Sequence, residues 1–229
     1  MTPFDFLSDL LANPALQKAL WPALVETMQM LVISGVATVL IGLPLGVILF
    51  VVAPGGMAEN RVANFILSSV IVNNIRSFPY AILMVALIPV TRFLVGTAVG
   101  AVAASVSLTI AAVPFFARLV ETALRDVHGG KIDAAHAMGS TRFQTITKVL
   151  VPEAMPTLVA GITTTLVMIV GYSAMAGLIG GGGLGRLAYN YGYQRYQVDV
   201  MIVTVVILIV IVQLIQLIGD RLSRAVDHR

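Results

Sequence analysis

Four stretches of this chain, Thr27 to Ala58, Phe93 to Ala117, Ala154 to Gly185 and Val200 to Gly219, contain no Asp, Glu, Lys or Arg. A helix rising about 1.5 Å per residue needs about 20 apolar residues to cross roughly 30 Å of hydrocarbon, and each run is long enough to do so. With 58% hydrophobic and 11% charged residues and a mean hydropathy of +0.95, the chain carries far more apolar surface than a soluble domain of its length could bury. The run Val62 to Val90 is nearly as apolar, but Asn73, Asn74, Arg76 and Ser77 interrupt it and Pro79 follows. Counted as a fifth span, it completes an all-α integral membrane fold of five transmembrane helices, joined on one side by a polar connection that reads as two short helices.

Orientation follows from the basic residues, because Lys and Arg near span ends are retained in the cytoplasm. If the connection from Arg118 to Pro156 lies inside, five spans put the C-terminus inside and the N-terminus outside. The inner side then holds Arg61, Arg118, Arg125, Lys131, Arg142, Lys148, Arg221, Arg224 and Arg229, the outer side Lys18, Arg92, Arg186 and Arg195, and Arg76 stays within the membrane. Nine against four favours this arrangement over its inverse. The net charge of +3 is better read through this distribution than as an affinity for nucleic acid. The absence of cysteine excludes disulfides and thiol-based metal or redox chemistry.

Residues 1–22 form an outer N-terminal segment. They do not read as a secretory signal, because Asp5 and Asp9 precede the first basic residue, Lys18, and no long apolar core comes before Pro14. Phe4, Phe6, Leu7, Leu10, Leu11 and Trp21 fit either a helix lying at the outer interface or a frayed terminus. Gly42 and Gly46 in the first span stand at a G-x-x-x-G spacing, a weak signal for close helix packing or dimerisation. The run Gly180 to Gly185 lacks the Lys-Ser/Thr pair of a phosphate loop and follows no strand, so it is expected to be a tight outer turn in which glycine supplies positive φ. His128 and His136 have no cluster of further ligands, which argues against a metal site.

The polar stretch from residue 125 to 156 is the most informative. Asp133, Ala134, Ala135 and Ala137 favour a helix, with Asp133 placed near its N-terminus where a negative charge suits the dipole. Gly139 ends it. Ser140 or Thr141 can cap a second helix through Phe143, Ile146, Val149 and Leu150, expected to stop before Pro152. Paired alanines give the first helix a low profile, suited to a groove on another protein; an ordinary surface hairpin is the alternative.

These residues resemble the E-A-A-x-x-x-G-x9-I-x-L-P signature of the inner-membrane permease subunits of ATP-binding-cassette importers. Here the pattern stands as Asp133-Ala134-Ala135, three residues, Gly139, nine residues, then Val149-Leu150-Val151-Pro152, with Asp replacing Glu. Arg76-Ser77-Phe78-Pro79, Gly171-Tyr172-Ser173-Ala174-Met175-Ala176-Gly177 and Tyr189-Asn190-Tyr191-Gly192-Tyr193 look like the methionine-importer branch in particular. The resemblance implies one permease domain over 1–229 in a bacterial cytoplasmic (inner) membrane, and a homodimer with two ATPase subunits and an extracytoplasmic substrate-binding protein. It also implies methionine as substrate, and ATP and magnesium bound by the partners rather than by this chain, which would be no enzyme. Asp133, Ala134, Ala135, Met138, Gly139 and Pro152 would form the ATPase-coupling site.

Two groups stand out as candidates for the translocation path. Asn73, Arg76, Ser77 and Tyr80 fall at i, i+3, i+4 and i+7, one face of a continuous helix. A charge in mid-bilayer costs about 2.5–3.5 kcal/mol on insertion scales, so that face should turn inward, with Arg76 either meeting a substrate carboxylate or satisfying backbone carbonyls near Pro79. Tyr172, Ser173 and Met175 lie between Gly171 and Gly177 near the outer end of the fourth span. Small residues there let two symmetry-related helices approach, and Met175 would supply a polarizable plug; simple packing is the plainer reading. Another amino acid as substrate remains open. An ion-coupled secondary transporter finds little support, because apart from Arg76 the spans lack ionisable residues and no internal repeat is evident. A membrane anchor for a soluble enzyme is a third class.

Overall fold

In hydrocarbon every backbone N–H and C=O must find its partner within the protein, and an apolar run meets that demand locally only as a helix. The computed structural model describes residues 14–227; of the interfacial segment expected from Phe4 to Trp21, residues 4–11 lie outside them and Trp21 lies exposed on the first helix. The helices are α1 (Pro14–Val52), α2 (Arg61–Ser77), α3 (Tyr80–Ala86), α4 (Ile88–Val95), α5 (Ala101–Arg125), α6 (Gly129–Ala137), α7 (Arg142–Leu178), α8 (Gly183–Leu187, continued by a π-helical stretch Ala188–Tyr193) and α9 (Val198–Ala225). Among the described residues, α1, α5, α7 and α9 are long and apolar enough to cross a membrane, and the broken pair α2 and α3 makes a fifth crossing if counted as one span.

Three boundaries differ from the sequence expectation. Helix α1 begins at Pro14, well before Thr27, because Pro is well placed in a first turn and the charged Lys18 and Glu26 lie on a helical segment that Leu16 and Ala23 anchor by burial. The expected continuous face from Asn73 to Tyr80 does not form. Helix α2 ends at Ser77, and Phe78 (ψ 131°) and Pro79 (ψ 129°) are extended before α3 starts at Tyr80. The ring of Pro79 disfavours helical backbone at Phe78. Conversely, the helix entered at Arg142 does not stop before Pro152. It passes through a π-helical stretch, Ile146–Leu150, in which the Val151 N–H donates to the Ile146 carbonyl, and continues to Leu178. The wider turn just before the proline accommodates a ring that would otherwise clash with the preceding turn.

The chain resolves into two contact units. The first comprises the chain as far as Val36, Pro79–Ile110 and Leu166–Leu214. In it Leu16 and Ala23 of α1 are buried with Leu184 and Leu187 of α8 and Val200 of α9. The second comprises Ala37–Phe78, Ala111–Thr165 and Ile215–Arg229. Its core joins Phe116, Val120 and Leu124 of α5 to Leu150, Ala154 and Leu158 of α7, with Val39, Leu43 and Val47 of α1 packed on them. Gly42 and Gly46 make that approach close. A Cβ on Gly46 would sit 2.5 Å from Val120 Cβ and 2.6 Å from the Ala117 carbonyl, and one on Gly42 would sit 2.9 Å from Phe116 Cδ1. The G-x-x-x-G spacing therefore serves packing inside one chain.

Candidate functional site

The signature region forms a short helix closed at its C-terminal end and followed directly by a capped second helix. Helix α6 starts at Gly129, earlier than the residue pattern suggests, so Asp133 lies mid-helix rather than in the first turn. At the far end Gly139 (φ +80°) lets the Ser140 N–H reach the Ala135 carbonyl at 3.1 Å and the Gly139 N–H reach that of His136 at 2.9 Å, the paired bonds of a glycine-terminated helix. Thr141 then caps α7 reciprocally. Its hydroxyl accepts from the Gln144 N–H at 3.3 Å, and Gln144 Oε1 accepts from the Thr141 N–H at 2.9 Å.

The way α6 sits decides what it can offer. Ala135 is 2% exposed and roots the helix, whereas Asp133, Ala134, Gly139 and, a little further on, Pro152 are exposed. Met138 is 80% and Phe143 74% exposed, two large apolar side chains on an otherwise polar connection. Lys131 pairs with Glu153, tying α6 to α7. A hollow of about 260 Å³ lies beside α6, lined by Asp133, His136 and Ile132 with Arg125, Phe50 and Pro54.

Arg125 leads from that hollow to a buried charge cluster. Glu121, 5% exposed, accepts from Arg125 at 2.7 Å and from Arg118 at 2.6 Å. Arg118 also donates to Ser68 Oγ at 2.5 Å and to Asn73 Oδ1 at 3.1 Å, so α5 is bonded to the π-helical stretch Phe65–Asn73 of α2. The i, i+3, i+7 spacing of Arg118, Glu121 and Arg125 was available in the sequence as a signal, but not the Ser68 and Asn73 partners.

The expected path residues fall in both contact units. Arg76 and Ser77 belong to the second unit: the Arg76 guanidinium lies 6.0 Å from the Phe115 ring centroid, and the Ser77 hydroxyl donates to the Asn73 carbonyl at 2.8 Å. Tyr172, Ser173 and Met175 belong to the first. There Tyr172 stacks on Tyr80 with ring centroids 4.4 Å apart and planes 3° from parallel, and the Tyr80 hydroxyl is 3.2 Å from Ser107 Oγ. Ser173 is buried and donates to the Val170 carbonyl at 2.8 Å. Met175 is 39% exposed, and with Gly171 and Leu178 it makes an uncovered face on α7. A Cβ on Gly171 would meet nothing within 4 Å.

After α7 the chain turns at Gly180 (φ +95°), Gly182 (φ +84°) and Gly183 (φ +73°), the glycine turn expected from the run. Residues of α1 that the sequence did not single out hold it. Glu26 accepts from the Gly183 N–H at 2.6 Å and pairs with Arg186 at 3.2 Å, and Thr27 Oγ1 accepts from the Leu184 N–H at 2.8 Å. Beyond it Tyr189 stacks on Tyr193 at 5.6 Å and Arg195 lies 4.5 Å over Tyr191, while Tyr196 (φ +54°) is exposed.

Residues 42–229 match the family described as binding-protein-dependent transport system inner membrane component. The chain is 51% identical over 204 residues to the probable D-methionine transport system permease protein MetI of Vibrio cholerae serotype O1, covering 89% of this chain and 90% of that one. It is 46% identical over 210 residues to the methionine import system permease protein MetP of Bacillus subtilis strain 168, covering 92% and 94%. A solved structure of the MetNI methionine ABC transporter in an inward-facing conformation, native crystal form, superposes with a TM-score of 0.91 at 46% identity, over 94% of this chain and 100% of that one. With its membrane-spanning helices, its capped polar connection and these matches over most of its length, the chain belongs to the family of inner-membrane components of binding-protein-dependent transport systems.

Proposed function

We propose that this chain is the permease subunit of an ATP-driven importer that moves methionine into the cytoplasm, and that α6 is its mechanical contact with the ATPase. The observation that carries the reading is the form of α6: rooted by Ala135, ended by Gly139, and flanked by the uncovered apolar side chains of Met138 and Phe143. Apolar anchors in a polar surround are the anatomy of a docking site with concentrated binding energy. The naming of the relatives as methionine permeases supports the substrate.

In this reading two copies line one pathway, each bound to an ATP-binding-cassette subunit, and an extracytoplasmic binding protein delivers substrate. The N-terminus lies outside and the C-terminus inside, as the basic residues favour. Closure of the ATPases on ATP moves the two α6 helices as rigid bodies and opens the pathway outward; product release reverses it. ATP and magnesium stay on the partner subunits, and this chain performs no hydrolysis. Tyr172, Ser173 and Met175 form the outer gate. Arg76, exposed at the end of α2, faces the path.

The test is association and uptake together. Met138→Asp should weaken co-purification with the ATPase subunit in mild detergent by about 30-fold, the effect of losing one interface anchor, and should abolish uptake of labelled methionine into proteoliposomes with ATP inside. Ala137→Ser on the same helix should leave both unchanged. Wild-type association in Met138→Asp would overturn the docking assignment. Uptake that unlabelled methionine does not compete away would overturn the substrate.

A further inference from the structure

We propose that Glu26 is a positioning residue of the outer gate: with Thr27 it clasps the Gly180–Gly185 turn to α1, so that the Met175 end of α7 moves together with α1. The inference rests on the importer reading above and adds to it a residue far from Met175 in sequence.

The clasp grips two backbone amides and one side chain, Arg186. The Glu26 carboxylate accepts the Gly183 N–H at 2.6 Å and the Arg186 guanidinium at 3.2 Å, and Thr27 Oγ1 accepts the Leu184 N–H at 2.8 Å while donating to the Ala23 carbonyl at 3.0 Å. The niche exists because two residues are glycine. A Cβ on Gly182 would lie 2.5 Å from Glu26 Oε2, and one on Gly183 would lie 2.6 Å from Thr27 Oγ1, each at a φ that side-chain-bearing residues rarely adopt. The two successive amides go to two acceptors, Gly183 N–H to the Glu26 carboxylate and Leu184 N–H to the neutral Thr27 hydroxyl, and bonds to an ionised acceptor are about twice as strong as neutral ones.

The other side of the same turn lies on the gate segment. A Cβ on Gly185 would collide with the backbone of Ala174, and one on Gly177 with the backbone of Gly185 and Arg186. Ala174 and Gly177 flank Met175. The first turn of α8 is thus pinned to α7 by bare backbone contact and to α1 by Glu26 and Thr27. The backbone around Met175 cannot swing relative to α1 without breaking either the bonds to Glu26 and Thr27 or that contact, and the charged bonds resist the former. Loss of the carboxylate frees the gate end of α7 from α1, so that ATP-driven movement is no longer delivered to Met175.

The experiment uses the whole importer in proteoliposomes, with the ATPase and binding protein, and reads methionine imported per ATP hydrolysed beside the amount of assembled complex. Glu26→Ala should lower that ratio about tenfold, the effect of losing a charge-assisted hydrogen bond, with assembly and maximal ATPase rate near wild type. Glu26→Gln keeps an oxygen toward the Gly183 N–H and should recover most of the ratio. Thr27→Val, nearly isosteric, removes both bonds of the hydroxyl, of which only that to the Leu184 N–H joins α1 to the turn, and should lower the ratio about threefold. If both Glu26→Ala and Thr27→Val keep the wild-type ratio, or if the ratio falls only as assembly falls, the clasp has no part in gating. A wild type that fails to import methionine with ATP would instead refute the importer reading itself.

Discussion

Glu121 illustrates how a single charged residue is kept inside this protein. Its carboxylate is almost fully buried and accepts from Arg118 and Arg125, and Arg118 also donates to Ser68 and Asn73. Removing Glu121 leaves Arg118, partly exposed and still bonded to Ser68 and Asn73, and Arg125, half exposed, without their carboxylate, so the loss is that of hydrogen bonds to a charged group, about 1.5–3 kcal/mol. Glu121→Ala should therefore destabilise the detergent-solubilised protein by that order, measured by equilibrium unfolding in mixed micelles. Arg125→Ala should cost no more than about 1 kcal/mol, because that side chain is half exposed and its partner keeps Arg118. Equal losses in the two variants would mean that Glu121 gains nothing from being enclosed.

At the scale of elements, Gly46 makes the close pairing of α1 and α5 a matter of one hydrogen. A methyl group there would press on the Ala117 carbonyl at 2.6 Å, and backbone cannot yield as a side-chain tip can. Gly46→Ala should destabilise by about 1–3 kcal/mol through overpacking, and Gly171→Ala, on the open face of α7, should be neutral or slightly stabilising; thermal aggregation in detergent would rank them. The spans, the glycine turn, the stop at Gly139 and the cap at Thr141 were legible in the sequence, because each follows from local chemistry: charge-free length, positive φ, or a side chain reaching three residues along. The break at Phe78 and the passage through Pro152 were not, since a proline ends one helix and is absorbed by a π-helical turn in another according to what surrounds it. Asp133 was placed too early because two glycines, Gly129 and Gly130, enter α6 despite their low propensity. Glu26 and Arg186 stand 160 residues apart, and no spacing rule joins them.

For the molecule as a whole, what matters is the surface that one copy leaves bare. Gly171, Met175 and Leu178 recur at i, i+4 and i+7 on α7 and are exposed, while Val170 on the same helix is buried. A second copy approaching across a two-fold axis would bring Met175 against its own counterpart, since a residue near such an axis meets itself. The chain contains no cysteine, so an introduced cysteine is the permease's single thiol. In the assembled importer, Met175→Cys should give a disulfide-linked permease dimer on mild oxidation in the resting state, and the linked fraction should fall severalfold when ATP and vanadate hold the ATPases closed, because alternating access separates the outer ends. Val170→Cys should not cross-link in either condition. A Met175 cross-link whose yield is indifferent to nucleotide would assign this face to fixed packing and remove Met175 from the gate, and no cross-link at all would place the second copy against a different helix.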